Sequence, residues 1–398
     1  MENKNMIKYN NIFANNNNLL LWIINKLDNI IKDLCNDTVT KKLQDIIIVL
    51  NKLINENKNI LEIINKDFLT LNLNDNNCSN YAENIQNVLN EKKTIRLPNG
   101  KKAIGFRYFS QLVKAGKNED GKNVICQDYP IVQLNIANIE GFNLFGVFDG
   151  HGQHGHLVSE FCKAYFIKRI TYFGELCKQN NLMTPESIYE ELKRTKFAYI
   201  KDTFSNADVE MSKQKNFDCN LSGAACNITF QFNKFIICAS LGDCRGIITE
   251  EKDNSKLAII KLSIDHKPNL PGELNRINLC GGMVDTKDNY PKIYKIDSNY
   301  PGLTISRSLG DLEGKKIGAI SNPQIVEYTL HHYTKCLTIC SRGVWEFITN
   351  EQVAILGNEF YKKKDCGGFC TDLVKLAVSA WEKSGLYRED ISVVCVFF

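Results

Sequence analysis

Phe142-Asn143-Leu144-Phe145-Gly146-Val147-Phe148-Asp149-Gly150-His151-Gly152 is the stretch on which the fold turns. Its first seven residues, almost wholly apolar, read as a buried strand. The strand runs directly into an acid. A carboxylate there points into the mouth of a sheet, and the glycines let backbone carbonyls approach a ligand closely. The neighbouring imidazole of His151 is placed to move a proton. Alone, a Gly-rich turn after a strand is as often structural as functional, so the rest of the chain has to decide.

Working outward, Cys226–Phe232 and Phe235–Ser240 flank Asn233-Lys234, a hairpin signal. Gly246–Thr249 and Leu257–Leu262 read as the next pair, and Leu337–Cys340 and Ile391–Phe398 as further buried strands. Helices are expected over about 156–178, 185–205, 271–280, 350–357 and 368–383, the second opening at Thr184-Pro185 with Pro at the first helical position. Strands come mainly as neighbours, with helices in blocks between them. This favours antiparallel sheets flanked by helices over a regular βαβ alternation.

Charged residues recur at the ends of these strands. Asp243 lies in Ser240-Leu-Gly-Asp-Cys-Arg245, Arg342 in Ser341-Arg-Gly-Val-Trp345, and Glu389 in Arg388-Glu-Asp390 just before the last strand. Separate strand ends converging on one mouth is the pattern of a hard-cation site built from carboxylates, carbonyls and water.

Composition narrows the function classes. The chain has 398 residues, 43% hydrophobic and 24% charged, as in ordinary globular proteins. Lys+Arg is 49 against Asp+Glu 45, so no basic excess supports a nucleic-acid partner. No run of about 18 apolar residues exists, so no membrane span is expected. The opening MENKNMIKYN lacks a secretory pattern, and Glu2 after the first Met rules out N-myristoylation. Fifteen scattered cysteines without a CxxC pair suit buried free thiols in a reducing compartment. Intracellular, cytoplasmic residence is expected, with the nucleus left open.

Residues 1–95 differ in texture, with 24 Asn among the first 90 residues. Leu43, Ile46, Ile47, Leu50, Leu53 and Ile54 recur at helical spacing. An Asn-rich, mainly helical extension is expected over 1–95, followed by one domain over 100–398. Its apolar stripe packs on that domain, pairs with a partner, or belongs to mobile helices.

Over residues 101–398 the sequence resembles the type 2C family of metal-dependent Ser/Thr protein phosphatases. The resemblance is carried by Val147-Phe-Asp-Gly-His-Gly152, Leu221-Ser-Gly-Ala-Ala-Cys226, Leu241-Gly-Asp-Cys-Arg245, Asp265-His-Lys-Pro268 with Cys280-Gly-Gly-Met-Val284, Leu303-Thr-Ile-Ser-Arg-Ser-Leu-Gly-Asp311, Ser341-Arg-Gly-Val-Trp345 and Glu389-Asp-Ile-Ser392. It implies an α+β fold, an α-β-β-α sandwich of two central antiparallel sheets with helices on both outer faces. It also implies a phosphoprotein substrate and two Mg²⁺ or Mn²⁺ ions sharing a bridging water that attacks the phosphoryl group in line. By the same resemblance Asp149 is the bridging carboxylate, Gly150 a carbonyl ligand, and His151 the acid that protonates the leaving oxygen. Asp243 matches a ligand of a weaker additional metal, Gln127 acts through water, Asp128 orients a water, and Glu389 is the last core ligand. Asp265-His-Lys-Pro268 fixes a turn, Asp311 braces a loop, and His154 and His156 are solvated. The basic residue expected to grip the phosphate has no clear match among Arg107, Lys117 and Lys122.

One position departs sharply. The family places Asp where this chain has Arg342, exchanging −1 for +1 beside a divalent cation. At about 4 Å and an effective dielectric near 20, each unit-charge pair is worth roughly 4 kcal/mol, and each 1.4 kcal/mol is about tenfold in affinity. Glu389, in place of the family's Asp, keeps the charge but adds a methylene. Two expectations follow. In one, the domain is a phosphatase whose activity is impaired by Arg342. In the other, Arg342 fills the metal position, pairs with Asp149 and Glu389, and leaves a pseudophosphatase that acts as a regulatory or phosphoprotein-binding scaffold.

Overall fold

A computed structural model describes residues 107–252, 256–287, 290–385 and 387–398. The expected Asn-rich helical extension over 1–95 lies outside the described residues.

Two antiparallel sheets stack face to face between layers of helices. One sheet has the order β1-β14-β13-β6-β7, made of Tyr108–Lys114 (β1), Ile391–Phe397 (β14), Thr334–Cys340 (β13), Arg245–Glu251 (β6) and Leu257–Lys261 (β7). The other has the order β12-β5-β4-β3-β2, made of Gln324–Thr329 (β12), Phe235–Leu241 (β5), Gly223–Phe232 (β4), Phe142–His151 (β3) and Asp128–Gln133 (β2). The short β11 (Leu309–Gly310) pairs with β4. A small third sheet, β10-β9-β8, joins Pro301–Leu303, Lys292–Lys295 and Gly282–Asp285.

Alternation along β3 shows how the layers are cemented. Phe142, Leu144 and Phe148 pack outward with Phe166 of α1 (Gly155–Gln179) and Phe204 of α3 (Ala198–Met211). Phe145 and Val147 point the other way, into a core shared with Leu337 and Ile339 of β13 and Val394 and Val396 of β14. The far face of the β1-β14-β13-β6-β7 sheet packs on α7 (Asn350–Lys363) and α8 (Cys366–Ser384), through Val353, Phe369 and Trp381 against Val393, Cys395 and Phe397. Fully burying one such aliphatic or aromatic side chain is worth about 1.5–3 kcal/mol, and both faces of both sheets are lined with them. The α-β-β-α expectation holds.

Some element boundaries move. The single helix expected over 185–205 is two, α2 (Pro185–Arg194) and α3, separated at Lys196 and Phe197, whose φ angles are 52° and 59°. The left-handed backbone there stops the helical ladder, a break no proline or glycine announces. The Thr184 cap is present as a capping box with Ser187. Strand β2 carries Pro130, which cannot donate to a ladder and hides the strand from pattern reading; β2 is accordingly an outer strand of its sheet. The described cysteines are unpaired thiols, nearly all buried. No described helix is long and apolar enough to cross a membrane.

Candidate active site

The parity that splits β3 between two cores also aims its terminal acid. Asp149 shares the face of Phe145 and Val147, so its carboxylate looks toward the other sheet. Asp128 of β2 lies directly opposite Asp149 in the ladder and therefore on the same face. The other sheet answers with the end of β13, where Ser341 leads into a single turn of helix, α6 (Arg342–Trp345), and with the residues just before β14. Gly343 lets the two approach, because a Cβ there would collide with the Asp390 carbonyl oxygen. Gly150 is required for the same reason against the Gly155 carbonyl, and its N–H donates to the Gln127 carbonyl at 3.1 Å.

Gln127, Asp149, Gly150, His151, Asp243, Arg342 and Glu389 line one open cavity of about 1250 Å³, with Lys117 at its edge. Asp128 is buried behind it. Seven expected site residues from five separate chain segments thus meet in one place.

The electrostatics divide the acids into two groups. Asp243 and Asp311 are compensated. The Lys267 ammonium lies 2.6 Å from Asp243 and outweighs burial, holding that carboxyl below its ordinary pKa. The Asp311 carboxylate accepts from the Ser308 hydroxyl at 2.6 Å and meets His151 Nε2 at 2.7 Å. Burial works against both of these charges, but the contact lowers Asp311 and raises the His151 pKa. Asp128 and Asp149 are not compensated. Burial, followed by the Asp390 charge, pushes Asp128 up to about 7, and both its oxygens are buried without an aligned donor although the Ser341 and Ser392 hydroxyls are near. Asp149 accepts the Arg342 backbone N–H at 3.0 Å, yet burial and the charges of Asp128, Asp243 and Glu389 drive it well above the carboxylate range.

Arg342 stands among them as a fixed positive charge. Its Nη1 lies 3.0 Å from Glu389 Oε1, and its Nε 3.3 Å from Glu346 Oε2. Burial disfavours the cation, but Glu389, Asp243, Glu346 and Asp149 together raise its pKa. Glu389 is nonetheless pushed up to about 7, burial outweighing the guanidinium. Protons are favoured on these acids because burial disfavours their charge and neighbouring carboxylates add to it, and orphaned buried carboxylate oxygens are what a hard cation satisfies. The donor set therefore fits a divalent ion. Among the described residues, however, no three His, Cys, Asp or Glu side chains converge on one ion as they stand, since Glu389 is turned to Arg342 and Asp243 to Lys267.

Several partners were not legible in sequence. Asp311, expected to brace a loop, contacts His151 across 160 positions. Asp390 accepts from the N–H groups of Gly116 at 2.6 Å and Gln127 at 2.7 Å, tying the approach to β2 onto the start of β14. Asp265-His-Lys-Pro268 does fix a turn, and the turn it fixes is that of Asp243. Asp265 forks onto Arg245, the His266 N–H donates to the Gly242 carbonyl, and Lys267 takes Asp243 itself. The only advance signal was adjacency of each residue to a motif.

Comparison with known proteins places the chain in a family. The family model described as Protein phosphatase 2C matches residues 133–382, well over half of the chain. The chain belongs to the protein phosphatase 2C family. Among its curated relatives, Probable protein phosphatase 2C 73 of Arabidopsis thaliana is 28% identical over 295 residues, spanning 70% of this chain and 76% of the relative. Probable protein phosphatase 2C 34 of the same plant is 28% identical over 284 residues, 70% of this chain and 78% of the relative. Among solved structures, a serine-threonine phosphatase 2C from Toxoplasma gondii superposes with a TM-score of 0.63 at 20% identity, over 76% of this chain and 98% of that one. At that identity the superposition speaks for the fold alone, and it is the sandwich described above. The chain is therefore a protein phosphatase 2C domain, of the Ser/Thr phosphatase type.

Proposed function

We propose that this domain hydrolyses phosphoserine and phosphothreonine monoesters in protein substrates, with Mg²⁺ or Mn²⁺ held by Asp149, the Gly150 carbonyl and Glu389, and by Gln127 through water. When bound, the ions supply Lewis-acid charge to the phosphoryl oxygens and a nucleophile from water near neutral pH. The chain's own residues do the rest. His151 supplies the proton to the leaving serine or threonine oxygen. Asp311, at 2.7 Å, orients the imidazole and favours its charged form, the state a general acid needs. Asp390, accepting from the Gln127 and Gly116 N–H groups, holds the approach to β2 that carries Gln127 against the metal acids. The observation that carries this reading is His151 with its own carboxylate partner beside uncompensated Asp149 in one open cavity.

One contact favours the second reading: Arg342 Nη1 on Glu389 at 3.0 Å puts a guanidinium on the acid that would ligate a metal. In that reading the domain binds phosphoproteins without hydrolysing them. Hydrolysis of p-nitrophenyl phosphate and a phosphothreonine peptide with Mn²⁺ separates the two. The phosphatase reading expects a wild-type rate that Asp149→Ala lowers at least about tenfold. A wild type no faster than Asp149→Ala, together with strong activity in Arg342→Asp, would make the native domain a scaffold.

A further inference from the structure

Arg342 is gripped from a side that the phosphatase chemistry does not use. Its guanidinium carbon lies 5.2 Å from the centre of the Tyr290 ring, in cation–π range. The Tyr290 hydroxyl donates to Glu346 Oε1 at 2.5 Å, and the other Glu346 oxygen meets Arg342 Nε at 3.3 Å. Glu346 follows Arg342 by one helical turn, whereas Tyr290 is exposed and sits two residues before β9 of the small third sheet. Two groups, Tyr290 and Glu346, thus confine one guanidinium, and Glu389 takes its Nη1.

We propose that Tyr290 and Glu346 form a clamp that docks Arg342 as a built-in cation on Glu389, so that divalent metal binds in competition with an arginine held from a surface hairpin. Tyr290 is a positioning residue: it acts on the metal site only through Arg342. A side chain confined in advance loses less freedom when it pairs with Glu389 than a mobile one would, so the clamp strengthens the arginine as a competitor. The surface position of Tyr290 makes metal occupancy sensitive to whatever engages the β8–β9 connection. This inference rests on the proposed metal site and adds to it how occupancy of that site is set.

Tyr290 carries no charge at neutral pH, so replacing it alters the competitor without altering the ligands. The test is Mn²⁺ titration by calorimetry on the full chain, with no substrate present. Removing a cation–π contact and its tether should tighten Mn²⁺ binding by about three- to tenfold in Tyr290→Leu. Tyr290→Phe, which keeps the ring, should fall between Tyr290→Leu and wild type. In an Arg342→Ala background, Tyr290→Leu should change nothing, which a general structural role for Tyr290 would not produce. Urea unfolding of each variant verifies that the fold is retained. If Arg342→Ala tightens Mn²⁺ while Tyr290→Leu leaves it at the wild-type value, or shifts it equally in both backgrounds, the clamp is wrong and the metal site stands. If Asp149→Ala binds Mn²⁺ as well as wild type, the metal site itself is wrong.

Discussion

Two buried ionic clusters of this domain are built from the same residue types and behave in opposite ways. In the first, Glu273 of α4 (Pro271–Leu279) takes Arg307 as a fork at 2.6 and 3.0 Å, Arg276 at 2.7 Å and the Ser306 hydroxyl at 2.5 Å. Burial disfavours its charge, but those donors win and its pKa falls well below the carboxylate range. In the second, Asp128 and Asp149 face each other with one backbone N–H and no aligned side-chain cation between them, and burial wins. The first cluster is complete without a ligand and serves the fold. The second is stable only if something positive is added, and the chain adds it partially, as Arg342 on Glu389. A structural and a functional ionic site are thus told apart by whether the buried charges are already satisfied.

The largest effect expected from this contrast is on stability. Glu273→Ala takes the shared carboxylate from two half-buried guanidinium groups and should lower the unfolding free energy by about 3–5 kcal/mol in urea titration. A loss below about 1 kcal/mol would mean that the cluster is not the brace described here.

Next is the pH dependence beside that cluster. His266 is buried with its Nδ1 at 3.2 Å from the Gly242 carbonyl, and burial, reinforced by Arg307 and opposed by Glu273 and Asp265, lowers its pKa from 6.5 to about 4. Between those values the unfolded chain binds a proton that the folded chain refuses. Stability should therefore fall as pH drops from 6.5 toward 4, by about 2–3 kcal/mol from this group alone. His266→Gln should flatten that part of the profile; an unchanged slope would assign it elsewhere. Glu273 shares that preference for the deprotonated form, and stability again falls with pH, but over a lower range. Its contribution is present at neutral pH and is lost only below the ordinary carboxylate range, so the two are separable in pH.

The smallest effect is the most telling for the pocket. Asp128→Asn keeps the shape and removes a buried charge without aligned donors, so the metal-free domain should be unchanged or more stable by about 1 kcal/mol. A loss of several kcal/mol in urea unfolding with EDTA present would show that Asp128 is structurally satisfied after all.

These contrasts also mark what could be read from the sequence. The strands of both sheet centres were legible because Phe142–Phe148 and Ile391–Phe398 are almost wholly apolar runs, the mark of elements buried on both faces. The outer strand β2 was not, because Pro130 interrupts its pattern, and the break at Lys196–Phe197 carries no breaker residue. In the site, residues at strand ends were found because strand ends converge in space. Their partners Asp311, Lys267 and Tyr290 were not, because pairing across tens to hundreds of positions leaves no local trace in one sequence. Arg342 was visible as a misplaced charge, but its confinement by Tyr290 and Glu346 required the fold.

The central claim is that Arg342 and a divalent cation compete for the same acids, and the most direct measurement is the Mn²⁺ dissociation constant of the full chain with and without that charge. Exchanging repulsion for attraction at the position should tighten Mn²⁺ binding at least about tenfold in Arg342→Asp relative to wild type. Equal dissociation constants for the two proteins would contradict it.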